Sequence, residues 1–240
     1  MGRMSAAVAH EIRNPLAAIA QANALLDEDL GDPRHKQLTQ MVRQNARRLE
    51  KIVEDILNIS RVQHRDQTIS PCTLALNASV ERVCRDWQGQ TQNQPAPRLH
   101  LSPRAIEVQF ESEHLRRILI NLLDNARRFA SQRAEAIQVS AGTAQSGQGF
   151  LSVWSDGPAM EQSVERHLFE PFFSSESRSS GLGLYICREL CEEHGASIVY
   201  DRTQREVECK PVEGNEFIAG FGPKAQALAG PMSPKEKRRI

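Results

Sequence analysis

The first quarter of the chain carries apolar residues at helical spacing, with alanines at many positions between them. These residues are Met4, Val8, Ile12, Ile19 and Leu26. Because steps of four and seven keep one face of a helix apolar, a first helix is predicted over residues 1–29. Gly31, Asp32 and Pro33 then match a helix end, an N-cap and a new first turn. A second helix is predicted over residues 34–64.

The second helix has a longer apolar stripe than one partner helix can cover. The residues of this stripe recur at intervals of three and four for about three heptads. The stripe comprises Leu38, Met41, Val42, Asn45, Leu49, Ile52, Val53, Ile56 and Ile59. Two such hairpins would cover it by pairing into a four-helix bundle, so the pattern predicts a homodimer.

Alternating and helical patterns mix in the rest of the chain. Strands are predicted at 74–76, 99–101, 106–110, 137–139, 150–154, 197–200 and 216–221, and helices at 113–130 and 185–193. Because strands and helices segregate instead of alternating strictly, the predicted fold class is α+β, with a two-layer α/β sandwich after the hairpin. The predicted boundaries are 1–65 for the hairpin, 66–72 for a linker, 73–222 for the sandwich and 223–240 for a disordered tail.

Charge and composition narrow the class of protein. Lys plus Arg and Asp plus Glu both number 30, so no overall field favours nucleic acid or a membrane surface. No stretch reaches the ~18 apolar residues of a membrane span, and there is no signal peptide, which predicts a cytoplasmic protein. The five cysteines show no Cys-x-x-Cys pair and are interpreted as reduced thiols, with Cys187 and Cys191 buried.

A polar string lies in the first helix, and it reads His10-Glu11-Ile12-Arg13-Asn14-Pro15. The spacing turns His10 and Asn14 away from the apolar stripe, so the imidazole should be accessible. An imidazole with a pKa near ~6.5 is largely neutral at pH 7 and can act as a nucleophile. Glu11 can hold the opposite ring N–H, and Asn14 can orient a water or a transferred group beside the ring.

Two asparagines define a polar face on the predicted helix over 113–130. Asn121 and Asn125 are four residues apart, opposite the leucines. Two neutral amide oxygens suit a Mg²⁺ that keeps several waters and takes its charge partners from phosphates. Arg128 can meet a phosphate, and Phe129 can cover an adenine ring.

A glycine-bearing turn, Gly181-Leu182-Gly183-Leu184, precedes the predicted helix over 185–193. Glycines at a helix N-terminus allow backbone N–H groups to approach a phosphate. An aromatic cluster over 168–173 and a serine-rich segment over 174–180, interpreted as a mobile lid, come just before it.

Taken in order, these stretches resemble the H, N, F and G2 boxes of sensor histidine kinases, over roughly residues 1–222. The resemblance implies that His10 accepts a phosphoryl group, that Glu11 is its general base and that Asn14 serves a reverse phosphatase reaction. It also implies dimerisation and histidine phosphotransfer by the hairpin, and a catalytic ATP-binding domain of the Bergerat (GHKL) type over 73–222.

The same resemblance implies Mg-ATP as the nucleotide, with Asn121 and Asn125 as metal ligands and Arg128 and Phe129 as nucleotide contacts. Further nucleotide contacts are implied for the glycine turn and the G1 stretch, namely Ser155, Asp156, Gly157, Gly181, Leu182, Gly183 and Leu184. The phosphoryl group would pass from His10 to an aspartate on the receiver domain of a response regulator.

The G1 stretch departs from the family pattern Asp-x-Gly-x-Gly. In register with Gly157, Ser155 stands where the family has the Asp that binds the adenine amine, and Ala159 replaces the second Gly. Three outcomes stay open: Asp156 turns in, Ser155 accepts the hydrogen bond less tightly, or ATP binding is impaired. A neutral acceptor in place of a carboxylate loses about 1 kcal/mol or more.

Alternatives follow from these departures. A non-catalytic or phosphatase-biased scaffold would keep receiver binding and lose ATP binding. A GHKL ATPase would need a glutamate where this chain has Asn121, and an amide cannot act as a general base.

Residues flanking the boxes resemble the PilS-like subfamily, which acts with an NtrC-type activator. With no sensor segment before the hairpin, the chain is interpreted as cytoplasmic, or as the cytoplasmic part of a membrane-anchored kinase.

Overall fold

The computed structural model describes residues 2–64, 72–90, 95–173 and 181–222, without the side chains of 2–11, 51 and 54–64. The chain divides into two compact units. One comprises Met1–Ile69 with Arg166–Ile186, and the other comprises Ser70–Glu165 with Cys187–Ile240. The predicted domain boundaries stay predictions. Residues 66–71 of the predicted linker over 66–72 and the predicted tail over 223–240 lie outside the described residues.

The N-terminal hairpin consists of α1 (Gly2–Asp29) and α2 (Pro33–His64), as the hydrophobic pattern predicts. α1 continues as a helix through Pro15. Asp32 caps α2, because its Oδ1 accepts a hydrogen bond of 2.8 Å from the backbone N–H of Arg34. The turn between the helices is therefore specified by local chemistry.

A polar cluster joins α1 to α2 close to their connection. The Asn23 amide donates to the Thr39 carbonyl oxygen at 2.8 Å, and the Thr39 hydroxyl donates to the Asp27 carboxylate. The Arg43 Nη2 lies 2.7 Å from Asp27 Oδ2. The hydrogen bonds from Thr39 and Arg43 lower the pKa of Asp27. These directional contacts fix the register of the two helices more tightly than apolar packing would.

Large apolar side chains of the hairpin stay at its surface. Eight of them are 42–59% exposed, namely Ile12, Ile19, Leu25, Leu26, Leu38, Met41, Val42 and Leu49. Leu16, Ala46 and Val53 are the buried apolar residues among the hairpin side chains that the structure describes. Most of the predicted stripe is thus left uncovered by the hairpin itself.

The second unit is built on a five-stranded sheet with the order β2-β4-β5-β7-β6. Only β2 and β4 are parallel; the other neighbours are antiparallel. A separate antiparallel pair joins β1 and β3. The strands are β1 (Thr73–Ala75), β2 (Arg98–Leu101), β3 (Glu107–Gln109), β4 (Ile137–Thr143), β5 (Gly149–Ser155), β6 (Ser197–Val207) and β7 (Lys210–Phe221). The helices are α3 (Leu76–Gln90), α4 (Ser112–Phe129), α5 (Gln162–Arg166) and α6 (Gly183–Glu193).

α4 packs its apolar face on the central strand β5, and this contact forms the core. The five apolar positions predicted for this helix are all fully buried: Leu115, Ile118, Leu119, Leu122 and Leu123. Leu151 and Val153 of β5 are buried as well. The predicted α+β class and its helix-on-sheet layers are confirmed.

The last two strands are much longer than predicted, with 11 residues in β6 and 12 in β7. Their turn at Glu208 and Cys209 has φ values of 51° and 61° and carries no Asn-Gly signal. The far half of this hairpin lies on the sheet face opposite α4. There Arg205 donates to the hydroxyls of Ser140 and Ser152, at 2.8 and 3.1 Å. This far half is too polar for the hydrophobic pattern to predict a strand.

Trp154 and Gly214 pack together where this hairpin meets β5. The Trp154 Nε1–H donates to the Thr203 carbonyl oxygen at 3.2 Å, and its ring is fully buried. A Cβ on Gly214 would collide with that ring and with the carbonyl oxygen of Ser155. Glycine is therefore required at position 214 by close approach.

Cys84, Cys187 and Cys191 are buried, as predicted for the last two, and all five cysteines are free thiols. Burial raises the pKa of Cys84 and of Cys191 to about 12, so these thiols are protonated and unreactive at neutral pH. Among the described helices, none is long and apolar enough to cross a bilayer.

Candidate functional site

The asparagine face lies on α4, at the border of the apolar face that anchors the helix to the sheet. Asn121, Asn125 and Phe129 are half-buried, and Arg128 is exposed. Burial raises the pKa of the Cys187 thiol, and a hydrogen bond with the Asn121 side chain opposes that rise. Asn121 is thus held against α6, while the helix geometry puts Asn125 one turn further along the same face.

Gly157 packs closely against the end of α4. A Cβ on Gly157 would lie 3.2 Å from the Phe129 carbonyl oxygen and 3.1 Å from Asn215 Nδ2. The structure therefore brings the G1 glycine to Phe129, at the C-terminal end of the asparagine face.

Asp156 is held away from this face by three hydrogen bonds. Its carboxylate accepts bonds of 2.8 and 2.6 Å from the backbone N–H and hydroxyl of Ser131, and lies 2.7 Å from Arg133 Nη2. Burial raises the pKa of the Asp156 carboxyl, but these bonds outweigh it and hold the pKa below its ordinary value. Turning Asp156 toward a nucleotide would break all three bonds. The structure thus argues against the outcome in which Asp156 turns in to bind the adenine amine.

Ser155 is the last residue of β5 and is buried between two neighbouring strands. It pairs with Ile137 of β4 and Asn215 of β7. Because side chains alternate along a strand, Ser155 shares the α4-facing side with Val153, while Trp154 faces the far half of the β6–β7 hairpin. Of the two candidates for the family's Asp position, only Ser155 is thus directed to the helix layer.

A polar network that the sequence analysis did not identify supports the G1 turn. The buried Asn215 donates from Nδ2 to the Pro158 carbonyl oxygen at 2.9 Å. Its Oδ1 accepts from the Tyr200 hydroxyl at 2.9 Å and from Arg202 Nη1 at 3.0 Å. Burial is the main cause that raises the pKa of Tyr200, which keeps its hydroxyl a donor. Only the register of β6 and β7 brings these residues together.

The glycine turn is built against the aromatic cluster that precedes it. Gly181 has φ of 67°, and a Cβ there would lie 2.6 Å from the Phe172 carbonyl carbon and 2.8 Å from the Phe173 nitrogen. Leu182 is fully buried, and its carbonyl oxygen accepts from the Ile186 N–H at 2.8 Å. Gly183 and Leu184 form the first turn of α6. The predicted lid over 174–180 lies outside the described residues.

The polar string that contains His10 lies within α1. Asn14 is exposed, as predicted, and Leu16 is 5% exposed and anchors this part of α1. The side chains of His10 and Glu11 fall outside the described part of the structure, so their roles stay predictions.

Comparison with known families identifies both parts of the chain. Residues 1–65 match the His Kinase A (phospho-acceptor) domain, and residues 110–224 match the Histidine kinase-, DNA gyrase B-, and HSP90-like ATPase family. The chain belongs to the sensor histidine kinases. Known structures of such kinases have the same fold. Full-length ShkA, in a complex with AMPPNP, is 20% identical, with a TM-score of 0.65 over 92% of this chain and 46% of ShkA.

Other members of the histidine kinase family show the same relationship. AdeS of Acinetobacter baumannii is 21% identical, with a TM-score of 0.58 over 89% of this chain and 97% of its own. The sensor protein kinase PilS of Pseudomonas aeruginosa is 35% identical over 83% of this chain and 38% of its own. AtoS of Escherichia coli is 27% identical over 82% of this chain and 32% of its own. This histidine kinase chain therefore spans less than half the length of these two sequence relatives.

Proposed function

We propose that this chain is the phosphotransfer and catalytic part of a two-component sensor kinase. It would phosphorylate His10 with Mg-ATP and pass the phosphoryl group to an aspartate of a response regulator. The observation that carries this proposal is the match of one chain to both a phosphoacceptor domain and a kinase-type ATPase domain. Both matches also favour catalysis over the non-catalytic scaffold.

The residues present fit a magnesium nucleotide. Asn121 and Asn125 offer neutral oxygens from a half-buried helix face, a donor set suited to Mg²⁺ that shares its coordination with phosphates. At the G1 turn Gly157 lies close to Phe129, so a Cβ at position 157 would press on the Phe129 carbonyl oxygen at 3.2 Å. When bound, Mg²⁺ supplies charge neutralisation at the phosphates.

The chain's own groups would then carry the transfer. An imidazole nitrogen of His10 would attack the γ-phosphorus, the bond from phosphorus to the β–γ bridging oxygen would break, and Glu11 would take the ring proton. Arg128 and the backbone N–H groups of Gly181–Leu184 would bind phosphate oxygens. In a second step the N–P bond of phosphohistidine would break as an aspartate oxygen of the receiver bonds to phosphorus.

The partner is proposed to be a receiver domain of the NtrC type, and Asn14 is proposed to serve the reverse phosphatase reaction. The similarity to PilS over 83% of this chain supports a PilS-like assignment. Asn14 is exposed on α1, where it could orient a water beside the phosphorylated aspartate of a docked receiver.

Incubation with γ-labelled ATP and Mg²⁺ tests the proposal. We expect label on the protein that is lost in acid and stable in base, as a phosphoramidate requires. A receiver domain added afterwards should remove the label from the kinase and gain it. Steady phosphate release without labelled protein would instead indicate an ATPase.

The G1 departure gives a prediction for affinity. We expect Ser155→Asp to tighten Mg-ATP binding roughly fivefold to tenfold, because a charge-assisted hydrogen bond exceeds a neutral one by about 1 kcal/mol. Isothermal titration measures the effect. Ser163→Asp places the same change at an exposed position of α5 and should leave the affinity unchanged. Equal or weaker binding by Ser155→Asp would show that Ser155 does not contact the base.

The exposed stripe of the hairpin supports a homodimer. We expect Leu38→Glu with Leu49→Glu to produce monomers, because each leucine contributes about 1.5–3 kcal/mol when buried and four would be lost per dimer. Sedimentation velocity measures the assembly state. Gln40→Glu with Gln44→Glu adds the same charge at exposed polar positions of α2 and should remain dimeric. A monomeric wild type would contradict the proposal.

A further inference from the structure

Two histidines and a glutamate meet in the second unit, at a place to which neither the kinase reaction nor the nucleotide site assigns a role. His114 Nδ1 lies 2.8 Å from His194 Nε2, and His114 Nε2 lies 2.9 Å from Glu111 Oε2. One ligand atom from each of the three residues lies within 4.8 Å of the other two. His114 is 9% exposed, so its ring is held inside the fold.

Glu111 occupies the N-cap position of α4 without acting as a cap. Its backbone is extended, with φ of −86° and ψ of 134°, and its side chain makes no capping hydrogen bond. Its carbonyl oxygen still accepts from the Leu115 N–H at 3.0 Å. The carboxylate is therefore directed to the His114 ring, one turn along the helix, at the expense of the usual capping interaction.

His194 is fixed by the C-terminal end of α6. Its N–H donates to the Cys191 carbonyl oxygen at 3.1 Å, and the Ala196 N–H donates to the same oxygen at 2.8 Å. Gly195, with φ of 68°, supplies the left-handed residue that this helix end requires. The His194 ring also packs on Phe110, with ring centroids 4.4 Å apart. Two helix ends and an aromatic contact thus position the donor atoms.

We propose that Glu111, His114 and His194 form a binding site for a transition-metal dication of the zinc type. Two imidazole nitrogens and a carboxylate oxygen are a ligand set that Zn²⁺ binds, with bonds near ~2.0–2.2 Å. An ion between the rings would bind His114 through Nδ1, which faces His194 Nε2. Tetrahedral bonds of that length place two nitrogens about 3.3 Å apart, so these two atoms need to separate by about 0.5 Å, and the Glu111 carboxylate, which lies nearest His114 Nε2, must turn toward the ion. Three protein ligands leave the fourth position to water.

The surroundings favour the metal-bound state. Glu193 Oε2 lies 3.5 Å from His114 Nδ1 and supplies a second carboxylate beside the site. The two carboxylates together balance the charge of a dication. An ion bound here would link the start of α4 to the end of α6.

Titration of the full chain with Co²⁺ and with Zn²⁺, without nucleotide, tests the site. We expect the visible d–d absorption of Co²⁺ to saturate at one equivalent and to be displaced by Zn²⁺. Zn²⁺ should also raise the Tm of the second unit. Glu111→Gln and His194→Asn should each weaken the affinity at least tenfold and remove the shift in Tm. His100→Gln, at an exposed position of β2, is the matched control and should bind as the wild type does.

The outcomes are distinct. No saturating signal in the wild type, or affinity retained in both variants, overturns the proposal, and equal loss in His100→Gln would show non-specific binding. If His194→Asn does not fold by circular dichroism, Glu111→Gln alone decides. The readouts need no ATP, so they do not depend on kinase activity.

Discussion

The substitution His10→Gln is expected to abolish acid-labile labelling from γ-labelled ATP. Glutamine keeps a polar side chain on α1 but offers only an amide nitrogen, whose lone pair is delocalised and does not attack phosphorus. Because the imidazole would be the nucleophile itself, the loss should be complete and not partial. Autoradiography after electrophoresis measures the labelled fraction, and isothermal titration should show unchanged Mg-ATP affinity.

His35→Gln is the matched control for this experiment, since His35 is an exposed histidine at the start of α2 in the same hairpin. It should label as the wild type does. Label that persists in His10→Gln would assign the phosphoacceptor to another residue and contradict the proposed reaction.

Removal of an amide from the asparagine face should have the second largest effect on autophosphorylation. We expect Asn125→Ala to slow autophosphorylation by about 100-fold or more, because loss of a metal ligand forfeits several kcal/mol of charge stabilisation at the transferring phosphoryl group. Alanine favours the helix, and Asn125 is half-buried at the border of the apolar face, so the fold should persist. Single-turnover labelling at saturating ATP measures the rate.

Arg116→Ala removes an exposed side chain from the same helix and should leave the rate within about twofold of the wild type, because it lies outside the asparagine face. Equal rates for Asn125→Ala and the wild type would show that Asn125 does not serve the nucleotide. A shift of the far-ultraviolet circular dichroism spectrum in Asn125→Ala alone would instead indicate a structural role.

Local sequence patterns were sufficient to predict a helix or a helix start when the residues that determine it lie close together in the sequence. The spacing of five leucine and isoleucine residues specified α4, and the structure buries them all. Asp32 and Pro33 likewise specified the start of α2, because capping depends on neighbours within a few residues. Both ends of α4 differ by one residue from the prediction, which is the ordinary fraying of helix limits.

Features that depend on contacts between distant segments could not be predicted in this way. The far half of the β6–β7 hairpin is mostly polar, and it is held by Arg205 and Trp154 contacts across the sheet. The direction of Asp156 is set by Ser131, which is 25 positions away in the sequence. The pairing of His114 with His194 spans 80 positions. Such contacts leave no periodic pattern of hydrophobic residues from which they could be predicted.

The hairpin buries few apolar groups of its own among its described side chains, and a polar cluster around Asp27 joins its two helices. A helical pair whose described side chains bury so little apolar surface is not expected to persist alone in water. In the proposed homodimer a second copy would supply much of the folding free energy of the hairpin, so that folding and assembly would be one concentration-dependent event. The cell would hold few independent monomeric hairpins, and exchange of subunits between dimers would require the helices to unfold.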